Sequence, residues 1–575
     1  MYAQNLSTYN TYNWRIHNSV SGQSPMIELV SGSEALAKAA ITAGVSWVSS
    51  YPGSPATYIV DDIAALTSPE EVRVEWASNE KVALEMAFGA SLAGKRSLLA
   101  VKSVGLNIAL DPLMTINLSG CNAGFVILLG DDPGSWGSQN EQDSRALGRA
   151  AELPVLEPTT VAEAYRAMRK AFDLSEGTGL PVIVRMTRAL SLAKSSVELA
   201  APPPERRTRS FKREFNRWVV LPVNVVSYHL RLLRRLREVQ STFEISDLNG
   251  IAGNGRYGVV AAGFAYQKLL DALGEVVPPE LRILRLGTFH PLPVDLIQGF
   301  LREVDAVLVL EETAPLVEDS LRAIAQGLDS DSGGQERKPP LAIYGRQSGH
   351  LLKAGELFEP HIAAALNRFL PELGLPMRGR TARPRPSLKP LGEDCFYTPA
   401  FAALKEVMDS RGGRDDFIVA GDPGCMVRAQ NPPDYLLDIK HSLGASLGMA
   451  AGIALNQAGP SAKRVVSIIG DSSFLHTGFN GLMDAAQVGA RMLVLILDNG
   501  TTALSGGQPH PASGLDARGR SRRGVDLAAL ARAAGAGSVQ VVDLDQGEDL
   551  CPALEAGLNF DGLAVIIAKG VCDCH

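Results

Sequence analysis

The sequence predicts an α/β protein built from three units, and three observations carry that prediction. Apolar strand-like runs alternate with alanine-rich helical stretches over most of the 575 residues, the pattern of mostly parallel sheets covered by helices. Two proline- and arginine-rich stretches interrupt the alternation near residues 201–255 and 378–395. Hydrophobic residues make up 46% and charged residues 20% of the chain, the balance of an ordinary globular protein large enough to bury several cores.

The first unit covers residues 25–200. Val45–Ser50 reads as a strand, Tyr51–Pro55 as a tight loop and Ile59–Leu66 as the start of a helix. Val72–Trp76 is a short strand candidate, Lys81–Ala93 has helical spacing, and Leu98–Val101, Phe125–Leu129 and Pro181–Arg185 are further strands. Residues 201–255 change character: APPPERRTR, then the basic amphipathic HLRLLRRLREVQ, read as a linker with a surface helix. The second unit, 256–377, is a smaller α/β block with strands at Tyr257–Ala262, Leu281–Leu284 and Ala306–Leu310. A second linker, 378–395, lacks periodicity. In the third unit, 396–570, strands are expected at Phe417–Ala420, Val465–Ile469, Met492–Leu497, Val539–Val542 and Leu563–Ile567, and helices at Gly444–Leu455 and Gly478–Val488.

Composition also excludes. A net charge of −7 gives no global basic field for nucleic acid. No run of about 18 apolar residues exists, so no membrane span is expected. The polar N-terminus, MYAQNLSTYNTYNWRIHNS, lacks the apolar core of a secretory signal and reads as a frayed or partner-contacting arm. Six cysteines at 121, 395, 425, 551, 572 and 574 are too dispersed for a disulfide scaffold, which points to a reducing cytoplasm.

The chemistry concentrates in the third unit. Gly470-Asp471-Ser472 follows the run VVSII, and Asp498-Asn499 ends the run MLVLIL. Both polar groups therefore sit where parallel strands end, the place where ligands bind in open α/β sheets. One strand–helix–strand unit fills the interval between Asp471 and Asn499 and can bring them side by side. A carboxylate and an amide oxygen are hard ligands suited to Mg²⁺, with phosphate oxygens and a backbone carbonyl completing the shell. The alternative is a pair of strand-end turns that use Asp and Asn for their turn chemistry.

Longer stretches separate these readings. GDPGCMVRAQNPP at 421–433, HSLGASLGMAAGIAL at 441–455, GDSSFLHTGFNGL at 470–482 and LDNGTTALSGGQPHP at 497–511 resemble one family. So do SGSEALAKAAITAGVSWVSSYPGSPATYI at 31–59, EWASNEKVALEMAFGASLAGKR at 75–96, VKSVGLNIALDPL at 101–113 and GDDPGSWGSQNEQDSR at 130–145. The chain resembles the alpha subunit of indolepyruvate:ferredoxin oxidoreductase, a branch of the thiamine diphosphate-dependent 2-oxoacid:acceptor oxidoreductases, over roughly residues 30–570. In place of the family's Gly-Asp-Gly and Asn-Asn, Ser472 and Asp498 stand at two positions.

The resemblance implies a thiamine diphosphate-binding fold. Units one and three would be the pyrimidine- and diphosphate-binding domains, and unit two a transketolase C-terminal-like domain. The cofactor would lie between units one and three of different subunits, which implies a homodimeric core. Glu80 would hydrogen-bond the aminopyrimidine, with Glu75 and Glu85 as neighbours to weigh against it. Asp471, Asn499 and the backbone oxygen of Thr501 would hold Mg²⁺. Gly421, Asp422, Cys425, His441, Gly470, Ser472 and Ser473 would lie by the diphosphate or thiazolium, although Cys425 equally suits a packing role. Ser54 would meet the 2-oxoacid carboxylate, with Asn107, Gln139 and Asn140 as weaker substrate-side candidates. His476 and His510 either shuttle protons or are hydrogen-bonded neighbours of the site.

The reaction implied is oxidative decarboxylation of an aryl 2-oxo acid, with coenzyme A taking the acyl group and electrons leaving toward iron–sulfur clusters. The family's alpha subunit commonly ends in a ferredoxin-like domain with two C-x₂-C-x₂-C-x₃-C-P motifs. Here the last residues read VIIAKGVCDCH, so no cluster is expected within the chain, and a separate ferredoxin-like acceptor and a smaller gamma/beta-type subunit are implied. The alternative is a nonoxidative 2-oxo acid decarboxylase or carboligase. Ser103 stands where the family has His, and His441 where it usually does not; both bear on substrate choice.

Overall fold

A computed structural model of the chain describes residues 26–201, 209–274, 276–330, 340–377, 379 and 391–572, apart from 212, 393–394, 431–434, 458 and 460. The N-terminal arm, most of the 378–395 linker and Cys574 lie outside the described residues.

The first unit is a seven-stranded sheet. Its order is Thr288–His290, Val155–Leu156, Val182–Thr187, Phe125–Asp131, Ser97–Lys102, Trp47–Ser50, Arg73–Trp76. All neighbours are parallel except the Thr288–His290 edge. The two central strands, Ser97–Lys102 and Phe125–Asp131, are buried at every position. That explains the apolar runs Leu98–Val101 and Phe125–Leu129 within them: a strand covered on both faces has no solvent side to alternate with. From Trp47–Ser50 the chain passes to the edge strand Arg73–Trp76, then returns to pair Ser97–Lys102 on the opposite side. The strand order thus reverses between Trp47–Ser50 and Ser97–Lys102, opening a crevice beyond their carboxyl ends.

The second unit holds a five-stranded sheet ordered Ala342–Tyr344, Ala306–Leu310, Tyr257–Ala262, Leu281–Leu286, Asn249–Ala252, the last antiparallel. It therefore starts inside the segment expected to be linker. The basic helix of that segment is Pro222–Glu244; it buries Tyr228, Leu232, Leu236, Val239 and Phe243. The second unit also lends Thr288–His290 to the first sheet, and one apolar cluster runs from Phe125 and Ile127 into Leu284, Phe300 and Val307. Units one and two therefore share a core.

Charge reinforces that seam. Arg145 and Arg185, both fully buried, reach Asp143, Glu157 and Glu311, and Asp131 and Glu157, respectively. Arg185 also donates to the Glu312 carbonyl at 2.8 Å. Buried charges persist only when paired and hydrogen-bonded, and here the partners come from both units.

The third unit is a six-stranded, wholly parallel sheet ordered Ile439–Lys440, Phe417–Gly421, Arg464–Gly470, Met492–Asp498, Leu563–Lys569, Ser538–Asp543. Its order reverses between Phe417–Gly421 and Arg464–Gly470, so Asp422 and Asp471 flank its crevice. Among the described residues, no helix is long and apolar enough to cross a membrane.

Candidate cofactor site

The crevices of the first and third sheets meet in one chain. Glu80 opens the helix Glu80–Leu92, whose N-cap Asn79 accepts the Val82 N–H. The Asn79 amide nitrogen also donates 2.9 Å to the carbonyl of His476. Glu80 is 5% exposed, and its Oε2 lies 2.7 Å from Nε2 of His476, itself 4% exposed. Gly105 leaves room for this carboxylate: a Cβ there would fall 2.5 Å from Glu80 Oε1. Beside them the Tyr51 and Ser472 hydroxyls lie 2.9 Å apart, and the Tyr51 ring packs edge-on against His476 with centroids 4.6 Å apart. Burial, with Glu80, Asp471 and Asp422 nearby, pushes the Tyr51 phenol well above its ordinary range.

Lower in the seam, Arg522 donates to both oxygens of Glu75, Gln508 to Asp61, and Arg518 to the Val72 carbonyl. The sequence reading sets units one and three of different subunits face to face; in the single chain described, these contacts join units one and three of the same chain. Glu80 meets the third unit of its own chain, because these contacts close the two crevices on each other. Glu75 belongs to this seam, and Glu85 is exposed on the far side of its helix.

Asp471 and Asn499 lie beyond the ends of adjacent parallel strands. The Asp471 Oδ2 accepts the N–H groups of Asn499 (3.1 Å) and Gly500 (2.8 Å) and lies 3.0 Å from His510 Nε2. Its Oδ1 accepts the Ser472 N–H at 2.7 Å, and Asn499 Oδ1 accepts that of Thr501 at 3.1 Å. Asp498 stands close by. Burial and the neighbouring Asp471 carboxylate push its carboxyl up to about 6. Two carboxylates and an amide oxygen, with a charge repulsion that a cation would relieve, fit a hard divalent ion. Among the described residues no three His, Cys, Asp or Glu side chains form a metal-binding group by themselves, so oxygens of a bound diphosphate would have to share the coordination.

The remaining candidates separate. Asp422 is fully buried, and its oxygens accept the N–H groups of Gly444 (2.5 Å) and Ser446 (2.9 Å). It holds the start of the helix Ala445–Leu455 and leaves no oxygen facing an anion, as its own charge demands. A Cβ on Gly421 would meet Leu437 at 2.7 Å, so this glycine serves packing. Ser473 donates to the Pro423 carbonyl at 3.4 Å. His441 is exposed past the edge strand. Ser54 is half-buried in the Tyr51–Pro55 loop, while Asn107, Gln139 and Asn140 are exposed. Gln142 joins this group: it bonds Asn107, Asn140, Ser144 and the Ser103 carbonyl.

Cys425 is 7% exposed. Burial chiefly, then Asp471 and after it Cys425, Cys395 and Cys572, raise the Tyr397 phenol well above its ordinary range. Sequence reading missed Tyr51, Tyr397 and this gathering of three cysteines. Tyr51 stands in the quoted YPGSP loop, but its partner Ser472 is far along the chain.

Comparison with known proteins agrees with this geometry. The family "thiamine pyrophosphate enzyme, C-terminal TPP binding domain" matches residues 422–568, and "pyruvate flavodoxin/ferredoxin oxidoreductase, thiamine diP-binding" matches 38–218. The chain is 35% identical to the indolepyruvate oxidoreductase subunit IorA of Archaeoglobus fulgidus, over 94% of this chain and 86% of that one. It is 34% identical to the IorA of Methanothermobacter thermautotrophicus (94% and 86%) and 32% to that of Pyrococcus abyssi (95% and 85%). A thiamine diphosphate-binding α/β fold, two facing crevices and similarity over 94% of the chain together place it in the IorA family of thiamine diphosphate-dependent 2-oxoacid:acceptor oxidoreductases, as a catalytic subunit.

Proposed function

We propose that this chain catalyses the oxidative decarboxylation of an aryl 2-oxo acid of the indolepyruvate or phenylpyruvate kind. The acyl group passes to coenzyme A, and the electrons pass to a separate iron–sulfur or other redox partner. The single observation that carries the reading is the convergence of Glu80 and Asp471/Asn499 on one seam, joined through His476, Tyr51 and Ser472. The substrate class rests on the names of the relatives.

Thiamine diphosphate, when bound here, would supply the nucleophilic and electron-accepting chemistry that a 2-oxo acid needs to lose CO₂. Mg²⁺ would be held by Asp471, Asn499 and the Thr501 carbonyl. The N–H groups of Asn499 and Gly500 and the His510 ring fix the Asp471 carboxylate, so the charge is in place before the cofactor arrives. Glu80 would hold a proton against the aminopyrimidine. Its partner His476, buried with it, fixes the carboxylate's direction. Ser54, on the loop beside Tyr51, would donate to the substrate carboxylate. A smaller gamma/beta-type subunit and a dimeric core belong to the same proposal.

The test uses the full chain with thiamine diphosphate, Mg²⁺ and candidate partner subunits, given phenylpyruvate or indolepyruvate with and without coenzyme A and a dye acceptor. The expected result is CO₂ release coupled to acceptor reduction and thioester formation. Aldehyde and CO₂ with no acceptor reduced would instead identify a nonoxidative decarboxylase.

A further inference from the structure

Six Lys or Arg side chains among the described residues are buried: Arg96, Lys102, Arg145, Arg185, Lys268 and Arg346. Arg96, Arg145, Arg185 and Lys268 are in ion pairs. Arg346 sits in the second unit, bonded to the Glu311 and Leu352 carbonyls and facing the Glu311 and Glu312 carboxylates. Lys102 differs. It is 9% exposed, and its ammonium donates one hydrogen bond, to the Gly137 carbonyl at 2.8 Å. It has no ion pair within 4 Å among the described residues. Its acidic neighbour Asp132 spends one carboxylate oxygen on Gly137 N–H and the Ser138 hydroxyl.

Its place in the fold is informative. Lys102 is the last residue of Ser97–Lys102, at the point where the first sheet's order reverses, so it stands at that sheet's ligand crevice. Gly53 of the Tyr51–Pro55 loop lies against it; a Cβ at Gly53 would fall 3.0 Å from Lys102 Cβ. Three residues on, Gly105 backs Glu80. The Gly137 loop that receives the ammonium is itself pinned to the second unit, with Trp136 Nε1 donating 2.6 Å to Glu356 and Gly355 N–H donating 2.8 Å to Glu141. Burying an ammonium with one hydrogen bond is costly unless an anion completes it.

We propose that Lys102 is the counter-ion of the substrate's carboxylate, acting beside Ser54 to select free 2-oxo acids. This rests on the 2-oxo acid reading above. Burial lowers the lysine's affinity for its proton, and an approaching carboxylate would restore it.

The test compares the full chain, assembled with candidate partner subunits and loaded with thiamine diphosphate and Mg²⁺, as wild type, Lys102→Met and Lys102→Arg. Two quantities are read: the KM for phenylpyruvate in acceptor reduction, and the affinity for 3-phenyllactate and its methyl ester, followed by tryptophan fluorescence. Phenyllactate carries the carboxylate without the reactive ketone, so its binding is independent of turnover. Lys102→Met is expected to raise the phenylpyruvate KM and weaken phenyllactate by at least about tenfold. The ester and thiamine diphosphate affinities should stay unchanged, and Lys102→Arg should recover part of the loss. Equal weakening of acid and ester would mark a merely structural lysine and overturn the inference, as would an unchanged affinity for the acid. A wild type that reduces no acceptor with any 2-oxo acid would instead sink the reading on which it rests.

Discussion

Glu80 begins a helix, where the unpaired N–H groups favour a negative side chain, and a capping acid on the surface would satisfy the same preference. Its burial against His476 distinguishes the two roles. Glu80→Gln is expected to leave thiamine diphosphate binding measurable by calorimetry while lowering acceptor reduction by about 10²–10⁴-fold. At the other end of the seam, His510 touches Asp471 from behind. His510→Ala should weaken Mg²⁺ by about 10–100-fold in a metal titration, the usual effect of removing a ligand's supporting partner. Asp471→Ala should abolish Mg²⁺-dependent cofactor affinity altogether. At this scale the sequence was legible where chemistry is local: Asp471 and Asn499 stand at strand ends whose apolar runs are unmistakable. Asp422 misleads because Gly-Asp after a strand looks alike whether the carboxylate faces a ligand or caps the next helix, and only the positions of Gly444 and Ser446 N–H decide.

The helix Ala56–Leu66 packs against Gly32–Thr42, bringing Asp62 near Glu34 and Asp61. Burial chiefly, then these like charges, raise the Asp62 carboxyl from 3.8 to about 6. Its folded form therefore holds a proton more tightly than its unfolded form. The stability it gives is complete below about pH 4 and is lost as pH climbs through 6. Asp62→Asn should accordingly stabilise the protein at pH 7 by about 1 kcal/mol or less, given partial solvent screening. The gain should vanish below pH 4 in urea melts. The neighbouring helix offers a second test. Asn79 caps Glu80–Leu92 and ties it to His476, so Asn79→Ala should cost about 1 kcal/mol and blunt catalysis as well. Most strands and helices named from periodicity fall within two or three residues of their observed bounds, but the basic helix starts at Pro222, well before the basic run, and the long helices Ser103–Ser119 and Val161–Thr178 were not named. The three-residue Thr288–His290 was not readable, since so short a run has no period and its partner lies in another unit.

Units one and two behave as one body because their apolar cluster and their buried arginines are shared. Removing Arg145 strands Asp143, Glu157 and Glu311 without a counter-ion. Arg145→Met is therefore expected to destabilise by about 3–5 kcal/mol, seen as an earlier denaturation midpoint in which both units move together. The tripartite plan was visible in composition, but the boundary at residue 256 was not. Asn249–Ala252 is an edge strand hidden in a basic stretch, and only pairing with Leu281–Leu286 reveals it. The loan of Thr288–His290 to the first sheet also bears on how the polypeptide can be divided. A gene split at the first linker would yield an N-terminal fragment whose Val155–Leu156 edge is bare, an open template for stacking with its own copies. Such halves should stay in solution only when produced together, so reshuffling of these modules would have to move the first two as a single cassette.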